Sequence, residues 1–203
     1  MKNILVWDLP VRLGHWLMVA GFALAWLSGD SEEWRLVHVA AGSTVAAVAL
    51  FRLLWGFVGT RHARFASFVR TPADAVAYLV ELLRFKPRHH TGHNPAGAWA
   101  VLALLGLALL TAGAGWLTYE EIGGDMFEDL HEGLAAVMLT VVGLHLAGVA
   151  AGSLVHGENL VRAMLTGRKQ GAAEEAIAGV RPLAAVLLLA WTAAAVWFVA
   201  VAS

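Results

Sequence analysis

HEGLAAVMLTVVGLH, residues 131–145, decides the fold of this chain. It is an almost uncharged apolar run with a histidine at each end, His131 and His145. Fourteen residues at about 100° each make close to four helical turns, so the two imidazoles lie on one helix face, roughly 21 Å apart along the axis. The stretch therefore predicts two sites stacked along one long helix.

The composition places that helix in a membrane. Of 203 residues, 59% are hydrophobic and only 14% are charged, and the mean hydropathy is +0.68. A water-soluble domain of this length needs far more polar surface. Cysteine is absent, which excludes disulfides, thiolate metal sites and cysteine-bound iron–sulfur clusters. Any metal must therefore be held by histidine or carboxylate side chains.

Membrane-length apolar segments recur along the whole chain. A window of about 20 residues is the length that crosses the hydrocarbon core of a bilayer as a helix. The predicted spans are residues 13–28, 36–58, 96–118, 130–154 and 183–201.

The first segment is short and follows Lys2 and Arg12, so a signal peptide is the alternative interpretation. Asp8, Pro10 and His15 interrupt the profile of a signal peptide, and no small-x-small cleavage motif follows the apolar run. We expect a retained span.

The charged residues between the spans sort by side, which predicts orientation. The loops after the first and third spans are acidic, whereas the N-terminal segment, the long second-to-third loop and the segment after the fourth span are basic. The positive-inside rule then puts the N-terminus in the cytoplasm and the C-terminus outside. The acidic residues are Asp30, Glu32, Glu33, Glu120, Glu121, Asp125, Glu128 and Asp129, and the basic residues are Lys2, Arg12, Arg61, Arg64, Arg70, Arg84, Lys86, Arg88, Arg162, Arg168, Lys169 and Arg181.

The long inner loop, residues 59–94, carries helix start signals. Thr71 followed by Pro72 is typical of an N-cap with proline at the first helical position. Residues 75–84 continue as a short amphipathic helix that we expect on the inner membrane surface. Asn94 with Pro95 repeats the signal at the third span.

Four histidines fall within or at the ends of the spans, where an unpaired imidazole is costly. His15 begins the first span on the inner side, and His38 begins the second on the outer side. The fourth span runs inward, so His131 is outer and His145 inner. Depth alone therefore pairs His38 with His131 and His15 with His145, giving two bis-histidine sites.

The ligand set of these pairs favours haem over zinc. Zinc takes three or four protein ligands, and no carboxylate lies beside His15 or His145 within a span. A haem iron takes two axial imidazoles and needs small neighbouring residues that admit the macrocycle. The alternative is that these small residues only allow close helix packing. They are Gly42 near His38, Ala135 near His131, Gly148 near His145, and Gly29, which lies fourteen residues after His15.

Arginines occur where haem propionates need cations. Arg12 and Arg35 each lie three residues before a candidate ligand, and Arg52 lies fourteen residues after His38. We expect Arg12 and Arg52 to be the inner propionate partners and Arg35 the outer one. The alternative is that all three are arginines whose charged ends reach the membrane interface.

Other histidines lie in the inner segments, and the run HHTGH at residues 89–93 could form a metal cluster. Because partner ligands at a defined spacing are lacking, we expect these histidines on the surface instead. His93 with Asn94 is also a candidate edge of a quinone or propionate site. Met138, between the two ligands of the fourth span, is expected to pack rather than to bind iron. The remaining histidines are His62, His89, His90 and His156.

At this point the chain resembles a known family, the bacterial cytochrome b561 and nickel–iron hydrogenase cytochrome b subunits. The resemblance extends through about residue 169. Its matching residues are WDLPVRLGHW at 7–16, His38 with Gly42, RLLWG at 52–56, HNPAG at 93–97, and the interval from His131 to His145.

The resemblance implies an all-α integral membrane helical bundle. Residues 1–170 would form a four-helix di-haem domain, and residues 171–203 a linker with a fifth C-terminal transmembrane helix. Two b-type haems would be bound, with the family's ligand positions carried over to His15, His38, His131 and His145. The fifth helix departs from the smallest family members, and its role is open.

The implied function is transmembrane electron transfer, as an electron-transfer subunit of a quinone-linked oxidoreductase in the bacterial inner membrane. Electrons would pass between a periplasmic partner at the outer haem and the quinone pool near the inner haem. The partner would be a hydrogenase-like subunit or a c-type cytochrome. Membrane lipid surrounds the protein, no nucleic-acid partner is expected, and a homo-oligomer is an open alternative.

Two other functions compete with this one. A stand-alone superoxide:quinone oxidoreductase would need cations near the outer haem, and the acidic outer loops repel that anion. A haem-free membrane scaffold or transporter would require four depth-matched histidines by coincidence.

Overall fold

The computed structural model describes residues 2–202, and its architecture is a bundle of long helices with a small sheet at one end. Five helices are long and apolar enough to cross a membrane. In chain order the elements are β1 (Lys2–Leu5), α1 (Leu9–Ser28), α2 (Arg35–Val58), α3 (Phe65–Phe68), α4 (Pro72–Leu83), α5 (Pro95–Tyr119), α6 (Asp125–His156), α7 (Leu160–Thr166), β2 (Arg168–Gly171) and α8 (Pro182–Ala202).

The five predicted spans are confirmed as α1, α2, α5, α6 and α8, and each observed helix extends beyond its predicted segment. The longest is α6, whose 32 residues make about 48 Å at the rise of an α-helix. This exceeds the hydrocarbon core of a bilayer, which is about 30 Å thick. Helix α6 therefore carries both of its histidines and still extends past the apolar layer.

Polar caps fix where the helices begin. The predicted cap Thr71 accepts from the backbone of Asp74, whose carboxylate accepts in turn from the Thr71 amide, which completes a capping box at α4. The predicted cap Asn94 accepts from the Gly97 amide at 2.7 Å. Helix α1 has a cap that the sequence did not predict, the fully buried Asp8.

Helix pairs build the bundle. Helix α1 packs on α2, α5 packs on α6, and α2 also contacts α5, which joins the two pairs. Met138 of α6 is only 4% exposed and packs with residues of α2 and α5, including Val45 and Ala108. The expectation that Met138 packs between the two sites is confirmed.

The fifth span, α8, lies against α1 and α2. Its Leu188 is fully buried beside Gly14, where an added Cβ would come within 3.6 Å of the leucine. The indole of Trp191 donates to the backbone carbonyl of Ala47 at 2.9 Å. Helix α8 therefore buttresses the two helices that carry His15 and His38.

A two-stranded antiparallel sheet at the end of the bundle where α1 begins, the predicted inner end, is an addition to the predicted all-helical fold. Strand β1 pairs with β2, with Lys2 opposite Gly171 and Leu5 opposite Arg168. The amides of Val6 and Trp7 both donate to the Gly167 carbonyl, at 2.8 and 3.0 Å. Gly167 adopts φ +78°, which favours glycine. The sheet brings the segment after α7 back over the start of α1.

Candidate haem sites

The outer pair of histidines meets across two helices. The ring centroids of His38 on α2 and His131 on α6 lie 5.7 Å apart with an interplanar angle of 74°. His38 Nδ1 lies 2.8 Å from the Ala25 carbonyl oxygen, and His131 Nδ1 lies 2.9 Å from that of Thr111. A carbonyl only accepts, so each Nδ1 carries the proton and each Nε2 keeps its lone pair for a metal.

Glycines let these two imidazoles sit where they do. A Cβ at Gly115 of α5 would lie 2.7 Å from His131 Nδ1, so only glycine leaves room for the ring. A Cβ at Gly29 would lie 3.7 Å from His38 Nδ1. At Gly42, one turn beyond His38, a Cβ would meet no described atom within 4 Å. This open space is compatible with the role predicted for Gly42 beside a macrocycle, which stays a prediction.

The predicted outer propionate partner, Arg35, already has neighbours of its own. Its Nε lies 3.3 Å from Glu32 Oε1, and its guanidinium lies 5.7 Å from the centre of the Tyr119 ring. The side chain is 60% exposed. Its assignment to a propionate stays a prediction.

The inner pair, His15 on α1 and His145 on α6, is also brought together, since the two imidazoles are close enough to interact electrostatically. The ring of His15 packs edge-on against Trp16 with centroids 5.0 Å apart. Its Nδ1 and the Trp16 Nε1 are both buried with no hydrogen-bond partner among residues 2–202. The inner imidazole therefore lacks the carbonyl that orients each outer one.

Two arginines point buried donors into the same inner region. Both terminal nitrogens of Arg52 are buried without an acceptor in the described chain, and its guanidinium lies 5.2 Å from the centre of the Phe65 ring. Arg12 donates to the Leu165 carbonyl, but its Nε is likewise unpaired within the part described. Buried guanidinium donors without acceptors are costly. The donor set therefore fits carboxylates such as haem propionates.

His93 lies beside this region and is not a surface residue. Its ring sits between Trp7 and Phe68, with centroid distances of 4.7 and 4.4 Å. Its Nδ1 is buried without a partner among the described atoms. Burial, reinforced by the charge of Arg52, lowers the pKa of His93 to about 3, so the ring is neutral and can donate or accept. It fits the predicted edge of a quinone or propionate site.

A polar cavity of about 220 Å³ lies next to His93. The expectation that His62 lies on the surface is wrong, since that residue lines the cavity and is only 8% exposed. Its Nε2 donates to the Glu175 carbonyl at 2.8 Å, because the chain after β2 folds over it. The other polar residues lining the cavity include Arg61, Arg70, His90, Thr91 and Glu175.

Comparison with known proteins gives the family of this chain. The model of a family described as prokaryotic cytochrome b561 matches residues 6–167. The chain belongs to the prokaryotic cytochrome b561 family. The matched segment includes all four candidate ligands and ends before α8. Membership confirms the predicted resemblance and helical membrane fold, and it makes haem b the cofactor and membrane electron transfer the general role.

Several curated relatives carry the description of a probable Ni/Fe-hydrogenase B-type cytochrome subunit. The one from Bradyrhizobium diazoefficiens is 24% identical, over 83% of this chain and 86% of its own length. The one from Azotobacter vinelandii is 30% identical, over 62% and 64%. The hydrogenase 1 subunit from Escherichia coli K12 is 28% identical, over 57% and 60%. No solved structure gives a significant match.

The sequence analysis did not find the two carbonyl acceptors of the outer imidazoles or the role of Gly115. The acceptors of the outer imidazoles are backbone carbonyls of Ala25 and Thr111, which leave no trace in side-chain identity. The place of Gly115 depends on how α5 meets α6. A search for glycines on α5 near the depth of His131 would have found it as a candidate.

Proposed function

We propose that this protein carries electrons across the bacterial inner membrane through two b-type haems. His38 and His131 hold the outer haem, and His15 and His145 the inner one. The observation that carries the proposal is the contact between the imidazoles of His38 and His131, with His15 and His145 within electrostatic range of each other and unpaired cationic donors at the inner level. Residues 1–170 form the di-haem domain, and residues 171–203 the linker and fifth helix.

The protein's own residues set the geometry of the route. His38 and His131 each donate an Nδ1 proton to a helix carbonyl, so each ring is oriented with Nε2 available for iron. Bound haem supplies a one-electron couple at each site. The histidines of α6 are separated by fourteen residues, roughly 21 Å along the axis, and the buried Met138 fills the helix contact between them.

Arginines and glycine complete the binding sites. Arg12 and Arg52 neutralise the inner propionates, which satisfies their unpaired buried nitrogens. Arg35 serves the outer propionates from the rim of the membrane. Gly42 leaves the space in which the outer macrocycle lies beside His38.

The two ends exchange electrons with different partners. The acidic outer loops face the periplasm by the charge asymmetry of the chain and dock a redox protein there. The names of the relatives favour a hydrogenase subunit over a c-type cytochrome as that protein. Quinone binds at the inner end, in the polar cavity beside His93. Electrons would then pass between the periplasmic partner and the quinone pool through the two haem sites.

The alternative of a haem-free scaffold or transporter does not account for the inner donors. A protein that bound no anionic group would leave Arg12 and Arg52 with buried nitrogens that nothing in the described chain accepts. Burying such a donor without an acceptor costs about 1–3 kcal/mol of folding free energy, and more when the group is charged.

Proteoliposomes that enclose ferricyanide test the proposal, with dithionite supplied outside. Wild-type protein should bleach the trapped ferricyanide faster than protein-free vesicles. His15→Ala and His38→Ala should each fall to the protein-free rate although each keeps one haem, because either gap interrupts the route. Wild-type vesicles that bleach no faster than empty ones contradict transmembrane transfer.

A further inference from the structure

A row of titratable side chains at the inner end is not used by haem binding. It consists of His89, Glu158, His156, Tyr78 and His90, which we call the inner file. The hydroxyl of Tyr78 lies 3.3 Å from His156 Nε2. The rings of His89 and His156 meet edge-on with centroids 5.6 Å apart, and those of Tyr78 and His90 at 5.7 Å.

The inner file connects water with the inner cavity. Its solvent-exposed end is His89, whose Nε2 lies 3.8 Å from Glu158 Oε2. Its other end is His90, which lines the polar cavity together with His62 and His93. His93 in turn is close enough to His145 for the two to interact electrostatically. The file therefore ends beside the proposed quinone site.

Burial, helped by neighbouring charges that include Lys169, keeps His90 from retaining a proton. Lys169 is 7% exposed, lies 3.4 Å from Glu158, and donates to the His90 carbonyl at 3.1 Å. Burial lowers the pKa of His90, and the charges that face it are His89, His156, Lys169 and Glu81. Burial raises the pKa of Tyr78. The phenol therefore stays neutral, and it can accept on one side while donating on the other.

We propose that the inner file conducts protons from the water on the basic side of the membrane to quinone reduced in the inner cavity. This inference rests on the proposed function. Conversion of a quinone to a quinol takes two electrons, which the inner haem delivers one at a time, and two protons. Each member that releases a proton toward the cavity regains one from its neighbour on the aqueous side, so the file itself is unchanged.

The structural alternative is that these rings only pack α4 against the end of α6. Tyr78→Phe separates the two interpretations, since it keeps the ring and removes the hydroxyl. Tyr119→Phe is the matched control, because Tyr119 is the other tyrosine of the chain and lies at the far end of α5. His89→Gln is the second file variant and changes an exposed position.

The test uses purified holoprotein with both haems reduced by stoichiometric dithionite and then mixed rapidly with decylubiquinone. Haem reoxidation should slow on the order of tenfold or more in Tyr78→Phe, and more at pH 8 than at pH 6, because bulk water supplies fewer protons as pH rises. The solvent deuterium isotope effect should increase. Haem content, haem spectra and the Tyr119→Phe rate should match the wild type, and His89→Gln should slow in the same direction.

The outcomes distinguish the inner file from the proposed function. Wild-type reoxidation with unchanged rates in Tyr78→Phe and His89→Gln at both pH values overturns proton conduction and leaves the quinone site standing. Wild-type haems that decylubiquinone does not reoxidise overturn the quinone site, and the inner file with it.

Discussion

The outer and inner histidine pairs share helix α6, which supplies one imidazole to each, yet they are held in different ways. At the outer level both imidazoles donate to helix carbonyls, at 2.8 and 2.9 Å, and the rings already face each other. At the inner level the Nδ1 of His15 and donors of Arg12 and Arg52 have no acceptor within residues 2–202. The outer site is arranged by its own helices, whereas the inner site has buried donors that, under the proposed function, an anionic cofactor would pair.

This difference follows from what each end is built from. Gly115 borders the outer His131 ring, where an added Cβ would lie 2.7 Å from Nδ1, so α5 and α6 approach closely enough for the Thr111 carbonyl to reach that ring. The inner end is built from cations, aromatic rings and a loop, with Trp7 and Phe68 on either side of His93. We therefore expect haem to stabilise the inner end more than the outer one, since a ligand stabilises what it completes.

The largest expected effect comes from removing one ligand of each pair. His38→Ala should lose the outer haem and keep the inner, and His15→Ala should do the reverse, because each pair forms one site. Haem per chain, measured as the pyridine haemochrome, should fall from two to one in both. Loss of both haems from His38→Ala would contradict this difference between the sites, because it would show that the inner site cannot bind haem without the outer one.

Gly115→Ala should disturb the outer site alone. The added Cβ would lie 2.7 Å from His131 Nδ1 and push the ring from the Thr111 carbonyl, so outer haem is expected to be lost in part. Gly113→Ala is the matched control on the same helix, since its Cβ would meet nothing within 4 Å in the part described. Equal haem content in the two variants would show that the outer geometry tolerates displacement.

Arg52→Ala should lower the midpoint potential of the inner haem while leaving haem content nearly intact. A nearby cation stabilises the reduced iron, which carries one positive charge less, so its removal favours the oxidised form. Arg35→Ala should have a smaller effect on the outer haem, because Arg35 is largely exposed and paired with Glu32. A potentiometric titration of each variant measures the midpoint potentials of both haems. An unchanged inner potential would assign Arg52 to the membrane interface only.

The smallest effect is expected from Thr91→Val. Thr91 lines the inner cavity and contacts the segment after β2 that covers it. The Thr91 hydroxyl donates to Glu175 at 2.6 Å and is the main reason that the pKa of this carboxyl lies below its usual value. A depressed pKa stabilises the fold above the ordinary carboxyl pKa, and this contribution is lost as pH falls through the folded value. The hydrogen bond contributes about 1 kcal/mol.

Melting temperature measured against pH checks this prediction. Thr91→Val should lower it by about 2–4 °C at pH 7, and the difference should shrink as the pH falls below the ordinary carboxyl pKa and through the lowered pKa of Glu175 in the folded protein. Thr118→Val is the control at the outer end, where the hydroxyl only donates to Ala114 in its own helix. A difference in melting temperature between Thr91→Val and the wild type that does not change with pH would contradict the role of Glu175.

Much of the fold could be predicted because membrane helices leave strong local signals. Apolar length, the Thr71 and Asn94 caps, and the depth of the four histidines all follow from short stretches of sequence. The pairing of β1 with β2 could not be predicted, since it joins residues separated by most of the chain. The covering of His62 by the Glu175 segment depends on that pairing and was missed for the same reason.

The candidate sites show a similar division. The imidazole pairs were predictable from spacing, because a helix has a fixed rise and period. Their orientation was not, since backbone carbonyls of Ala25 and Thr111 supply it. The sequence also assigned Arg35 and Arg52 the same kind of role, whereas the structure gives only Arg35 a carboxylate partner.

The central claim, two haem sites built from His15 with His145 and His38 with His131, is tested most directly by a redox titration of the purified protein with haem quantified per chain. The account predicts two b-type haems per chain that titrate as two one-electron steps. Only the step of the inner haem should shift in Arg52→Ala. A single haem per chain, or none, would contradict it.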